Sequence, residues 1–238
     1  MDFDRETFLK RPRYDAFEDL ERIVALLRAP DGCPWDREQT SATLRTHVIE
    51  EAYEVADAID RGDVKALCEE LGDLLLQVAF QTELAREAGL FDRGDVIDGI
   101  VKKLIYRHSH VFGQDHVEET GEVLDLWERN KQKEKGYEST ADRLRGVALA
   151  LPALLRAQKL ERRAGMDEDP WLAVGRGLAA VNDLQPGPGA TASPELETAY
   201  GELLFALAAL GNRCGIDAEE ALSAANRGYV ERSSEENA

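Results

Sequence analysis

Residues 66–81, ALCEELGDLLLQVAFQ, form a stretch that is apolar on nearly every side yet carries Glu70 and Asp73 three positions apart. At helical spacing Asp73 shares a face with Leu76 and Phe80, while Leu71, Leu74, Leu75 and Val78 cover the other sides. A helix that is hydrophobic all round is a buried one. The spacing therefore predicts that Asp73 and Glu70 project into an interior or a cleft. Isolated ionised carboxylates are too costly there, so these must be paired, protonated or bound to metal.

The preceding acidic run narrows the choice. VIEEAYEVADAI, residues 48–59, places Glu50, Glu51, Glu54 and Asp57 on one arc of a helix, with Ile49, Ala52, Val55, Ala56 and Ile59 on the other. Alone, that pattern also fits a solvated acidic face. Facing Glu70 and Asp73 from an antiparallel neighbour, the same acids would repel them unless cations intervened. Hard divalent ions prefer all-oxygen donors, and Mg²⁺ binds substrate phosphates as well. An ExxE pair facing an ExxD pair thus predicts a Mg²⁺ cradle, with Mn²⁺ as the alternative ion.

Period-2 runs of Val, Ile and Thr are almost absent from the 238 residues, so the chain reads as all-α. Helices are expected over about 14–29, 41–59, 64–88, 93–107 and 118–135, with Thr40 or Ser41 as an N-cap. The segment PDGCPWDREQT breaks the pattern and reads as a loop. In the second half, LRGVALALPALLRAQKLERRA reads as one opening helix, WLAVGRGLAAVNDL as another, and LQPGPGATASP as a flexible connection. ELETAYGELLFALAALGNRC echoes CEELGDLLLQVAFQTELARE, which points to an internal duplication. The expected organisation is an N-terminal tail over 1–13, a catalytic repeat over 14–135, a linker over 136–142, a degenerate repeat over 143–232 and a C-terminal tail over 233–238.

A formal net charge of −18 argues against a sequence-independent grip on nucleic acid or anionic membrane. Bound cations can still reverse the local field for a small phosphorylated ligand. Cys33, Cys68 and Cys214 are odd in number and lack CxxC spacing, which suits reduced thiols. No apolar leader or membrane span is evident, so a cytoplasmic protein is expected.

Against this acidic background, Lys103, Arg107 and His110 fall on one face of VKKLIYRHSHVFG. Lys103 and Arg107 are expected to contact phosphate, the alternative being a basic helix end favoured by the macrodipole. Trp35 is expected in a loop, stacking on a base with Gln39 or Thr40 reaching its polar edge, or else plugging the bundle. His47, three residues before Glu50, is a candidate supporting group.

EExYE at 50–54 and the ELGD of 70–73, together with GCPWDREQT, RHSHVFG and LPALLRAQKLERRAG, make the chain resemble the all-α nucleoside triphosphate pyrophosphohydrolases, and within them the MazG family, over nearly its whole length. The resemblance implies tandem MazG-like helical bundle repeats that convert nucleoside triphosphates, NTP or dNTP, to the monophosphate and pyrophosphate with Mg²⁺. It implies Glu51, Glu54, Glu70 and Asp73 as metal ligands, and Glu50 as a further acid that binds metal or orients water. Glu50 or Glu54 would assist attack on phosphorus, with Lys103 and Arg107 stabilising the developing charge. Trp127 and Lys131 match positions that follow the basic helix in related repeats, where they would close over the nucleotide, the alternative being a structural Trp beside a solvated Lys.

The second repeat departs from that pattern. GRGLAAVNDLQPG keeps only Asp183 near the acidic position, and Pro186 and Gly187 interrupt it. TAYGE keeps Glu202 but has Ala199 for the first acid, Gly228 aligns with Lys103, and Arg232 aligns with Arg107. The chemistry is therefore assigned to the first repeat and packing or assembly to the second. A carboxylate-bridged di-iron protein would want Glu-x-x-His, and Glu54 and Asp73 stand where His would be. A non-catalytic nucleotide sensor or assembly scaffold is the other alternative. A homodimer or larger assembly is expected, with neighbouring chains completing each site.

Overall fold

The computed structural model describes residues 5–166, 168–186 and 191–235. Among these residues there is no strand, and the helices divide into two compact units, Met1–Val117 and Glu118–Ala238.

The first unit holds α1 (Arg5–Leu9), α2 (Phe17–Arg28), α3 (Pro34–Glu38), α4 (Ser41–Arg61), α5 (Val64–Glu87), α6 (Arg93–Arg107) and α7 (Ser109–Phe112). Its centre is the α4–α5 hairpin with α2 laid against α5. Both helices of the hairpin are stopped and restarted by local chemistry. Thr40 caps α4 in a reciprocal box with Thr43, Gly62 takes the left-handed φ of 65° that ends it, and Asp63 accepts from the amides of Lys65 and Ala66 to begin α5. Val24, Leu44, Ala79 and Phe80 form the core, flanked by Phe17, Leu20, Leu76 and Leu84. The segment expected as an N-terminal tail carries α1, where Phe8 is buried.

One expectation for α5 needs correction. Its C-terminal half is enclosed, but Leu71, Leu75 and Val78 remain exposed. The reason is that α4 and α2 pack on it and leave its remaining side uncovered.

The second unit holds α8 (Thr120–Lys135), α9 (Thr140–Arg145), α10 (Ala153–Ala164), α11 (Pro170–Asp183), α12 (Pro194–Cys214) and α13 (Ala218–Glu235). Contacts thus group α8 with this unit, whereas the sequence reading joins residues 118–135 to the first repeat. The single helix expected over 144–164 is two. Gly146 ends α9, and Pro152 opens α10 from an extended conformation, because a proline ring fixes φ and offers no amide. α11 ends at Asp183, ahead of Pro186; Gly187 lies outside the described residues.

Small residues bring α11 and α12 close together. A Cβ at Gly177 would come within 3.2 Å of Leu203, and Ala199, Ala206, Ala208 and Ala209 are buried. Gln158 of α10, 1% exposed, donates to the Ile216 carbonyl at 2.8 Å and accepts from the Ala218 amide at 3.0 Å, so it pins the start of α13.

Candidate active site

The α4–α5 hairpin sets two acidic turns side by side. Carboxylate oxygens of Glu51, Glu70 and Asp73 lie within 4.8 Å of one another, and none of the three is fully buried. Burial is the largest cause that pushes the Glu51 carboxyl above the ordinary glutamate range. Its hydrogen bond with Glu54 and the charges of Asp73, Glu54 and Glu50 act in the same direction. Glu70 is raised too, first by desolvation, then by Glu54, Asp73 and Glu69, with Arg61 opposing. Glu54 therefore belongs to the same group of acids.

Two further acids of α4 have basic neighbours on their own helix. Asp57 pairs with Arg61 at 3.0 Å. Glu50 lies 3.4 Å from His47 Nδ1, and the His47 ring meets the Trp35 ring edge-on, with centroids 6.4 Å apart. A line of contacts thus runs from Trp35 through His47 to Glu50, next to the acidic group.

Trp35 itself stands on the short helix α3, not in a loop, because Pro34 at the first helical position preorganises that turn. Its side chain is 55% exposed. Gln39 and Thr40 do not present free polar edges beside it. Gln39 donates to the Trp35 carbonyl at 2.9 Å and accepts from Thr43 Oγ1 at 2.9 Å, and Thr40 caps α4.

Arg28 is the supporting residue that sequence reading missed. Its guanidinium holds both Glu87 oxygens, at 2.9 and 2.7 Å, and also donates to the carbonyls of Asp36 and Gln39. It thereby ties α2 and α5 to the segment that carries Trp35. The partner lies 59 residues away, and no local pattern announces it.

Lys103 and Arg107 lie on α6, which packs chiefly on α7 and is tied to α2 by Arg93, 3.0 Å from Glu18 and 2.8 Å from Glu21. Lys103 is half-buried and Arg107 is buried. Trp127 and Lys131 are on α8 in the second unit. Lys131 sits 4.7 Å above the Trp127 ring and pairs with Glu128 at 2.8 Å.

The donor chemistry of the acidic group suits a hard cation. It offers several carboxylate oxygens from adjacent helix turns, and two of its members are protonated more readily than ordinary glutamates. A bound divalent ion would replace that proton and offset the mutual repulsion.

Comparison with known proteins adds the lineage. A profile of the MazG nucleotide pyrophosphohydrolase domain matches residues 39–112, from the end of α3 through α7. The chain is 39% identical over 220 residues to the nucleoside triphosphate pyrophosphohydrolase of Escherichia coli K12, covering 90% of this chain and 84% of that protein. The chain belongs to the MazG family. The nucleoside triphosphate pyrophosphohydrolase/pyrophosphatase MazG of Thermotoga maritima is 39% identical over 217 residues, covering 91% of this chain and 83% of its own. The nucleoside triphosphate pyrophosphohydrolase of Mycolicibacterium smegmatis is 33% identical over 233 residues, covering 94% and 71%. Among the described residues, no helix of this MazG-family chain is long and apolar enough to cross a membrane.

Proposed function

We propose that this MazG-family chain hydrolyses nucleoside triphosphates, ribo- and deoxyribo-, to the monophosphate and pyrophosphate, as a housecleaning activity on the cytoplasmic nucleotide pool. The observation that carries the reading is the convergence of Glu51, Glu70 and Asp73 carboxylates within 4.8 Å on one hairpin. The three relatives compared above carry the name of that activity.

Glu51, Glu54, Glu70 and Asp73 would hold Mg²⁺, or Mn²⁺, which when bound neutralises phosphate charge and lowers the pKa of water. Glu50 and Glu54 lie at the edge of that group, where a carboxylate can accept a proton from water attacking phosphorus. His47 restrains Glu50, and Trp35 offers an exposed ring beside it for a base. Lys103 and Arg107 would supply the positive charge that the phosphate oxygens need.

The chemistry is assigned to the first of two tandem helical repeats. Each unit is centred on one tightly packed hairpin, α4–α5 in the first and α11–α12 in the second. The second has Ala199 and Gly201 where the first has Glu70 and Gly72, and its small buried residues serve packing. A homodimer or higher assembly is part of the same reading. Leu71, Leu75 and Val78 on α5 and Ile97, Val101 and Ile105 on α6 are exposed, apolar side chains of the kind that assembly covers.

The test is turnover of an NTP and dNTP panel with Mg²⁺, with products resolved by anion exchange, for wild type, Glu70→Gln, Asp73→Asn and a chain truncated after Ser139. Monophosphate with pyrophosphate, lost in both substitutions and lost on chelation, is the expected result. Monophosphate that persists in both substitutions would refute the residue assignment. Nucleotide binding without turnover would favour the sensor or scaffold.

A further inference from the structure

Gln77 stands one helical turn beyond Asp73, on the face of α5 that carries Glu70 and Asp73 and about 6 Å further along the axis. The register of the α4–α5 hairpin sets it in the seam. Glu51 lies beside Glu70 and Asp73 at one level, Gln81 donates to the Ser41 carbonyl at 3.4 Å at another, and Gln77 falls between the two. A helical side chain leans towards the N-terminus of its own helix, so a residue at this position covers the turn that bears Asp73. Gln77 is 7% exposed, and its Oε1 is buried without a hydrogen-bond partner among the described residues.

Packing does not account for that choice of residue. A buried acceptor with no donor bears the full desolvation of the group, which an apolar side chain of the same shape avoids. Leu76, Ala79 and Phe80, its neighbours on α5, already belong to the apolar core or pack against it. Gln158 shows what a structural glutamine looks like in this chain: it is 1% exposed, donates to the Ile216 carbonyl at 2.8 Å and accepts from the Ala218 amide at 3.0 Å. The second repeat supplies an independent comparison. Gln77 follows Gly72 by five residues, and the residue that follows Gly201 by five is Ala206, also buried. That repeat has Ala199 in place of Glu70, so the amide and the acid pair are missing together.

We infer that Gln77 is a further binding residue of the acidic group, its Oε1 accepting a hydrogen bond from the hydration water of the hard cation that Glu51, Glu54, Glu70 and Asp73 would hold. The inference rests on the cation site proposed above and extends it to a side chain without charge. Ionised carboxylates only accept hydrogen bonds, so the neighbouring acids cannot satisfy Oε1. Mg²⁺ keeps several of its waters when carboxylates bind it, and those waters are the donors that the amide oxygen lacks. An outer contact of this kind fixes the ion without adding to the repulsion among the acids.

The test is Mn²⁺ binding by the full chain without nucleotide, read from the electron paramagnetic resonance signal of the free ion, together with thermal denaturation in EDTA. Wild type, Asp73→Asn, Gln77→Met and Gln77→Glu are compared. Gln77→Met keeps an unbranched side chain of similar length and removes the amide. It should weaken Mn²⁺ binding by about 10-fold or more, yet melt at or above the wild-type temperature in EDTA, because no buried acceptor is left unpaired. Gln77→Glu keeps an acceptor oxygen, so it should bind Mn²⁺ at least as tightly as wild type and melt lower in EDTA, where its charge meets those of the other acids. Unchanged Mn²⁺ affinity in Gln77→Met, a lower melting temperature for that variant in EDTA, or binding weakened equally in both variants would each overturn the inference and leave Gln77 to packing. Wild type that does not bind Mn²⁺, or Asp73→Asn that binds it as wild type does, would instead refute the cation site, and the inference with it.

Discussion

Glu51→Gln separates the cost of the acidic group from its use. In the metal-free protein Glu51 faces the Asp73 carboxylate within 4.8 Å. At the dielectric of water that pair repels by about 0.9 kcal/mol, and physiological salt reduces it to about 0.5 kcal/mol. Neutralising Glu51 also removes the desolvation that raises its pKa, so the variant should gain about 0.5–1 kcal/mol in EDTA. For a chain of this length that is about 1–4 °C in Tm. With Mg²⁺ at about 100 times its Kd, wild type should gain about 2.7 kcal/mol by mass action, and the variant only a small part of that. Thermal denaturation followed by circular dichroism, with EDTA and with a Mg²⁺ series, reads both effects. A variant that melts lower than wild type in EDTA, or that keeps the full Mg²⁺ shift, would refute the reasoning.

Arg28→Met should destabilise the first unit by about 2–4 kcal/mol in urea denaturation, since it strands Glu87 and two carbonyls. Because the Arg28 hydrogen bond holds Glu87 below the ordinary glutamate value, its contribution is fully present above about pH 4.5 and is lost as pH falls through the folded-state pKa. The stability difference between Arg28→Met and wild type should therefore shrink below that pH in matched urea titrations. Gly32→Ala should cost about 1–3 kcal/mol by the same assay, because its Cβ would collide with the backbone carbonyls of Leu26 and Leu27, which cannot rotate aside. Lys103→Ala should lower kcat by about 10²-fold in the product assay while leaving the Mg²⁺-induced Tm shift intact, since its proposed contact is with phosphate and not metal; loss of that shift would place Lys103 in the structure of the hairpin instead.

What the sequence makes legible is whatever depends on near neighbours. The bounds of α5 and α6, the Thr40 cap and the acids of one turn facing those of the next follow from 3.6-residue periodicity and from capping chemistry, and the structure has them within a few residues. Arg28 was opaque because its partner is fixed by tertiary packing and not by spacing. The break between Gly146 and Pro152 was hidden in an apolar run that reads as helix until proline's missing amide is counted. A cluster of cations in the second unit has a similar cause: Lys131, Arg143 and Lys159 sit on α8, α9 and α10, and only the fold of that unit gathers them.

The exposed leucines of α5 carry the most information, because there the two sources disagree for a physical reason. Periodicity says that the helix is covered on all sides, and the single chain leaves Leu71, Leu75 and Val78 open. Hydrophobic patterning records every surface that is removed from water, whether by the same chain or by another. The side of α5 that α2 and α4 leave open is therefore where a second copy would pack in the proposed assembly. Leu71 lies between Glu70 and Asp73 in the chain, so a copy that covered this side would sit beside the acidic group. The coupling predicts that Leu75→Glu, which should abolish assembly in sedimentation velocity, also lowers turnover. Retention of wild-type turnover by a monomeric variant would break the link between assembly and catalysis.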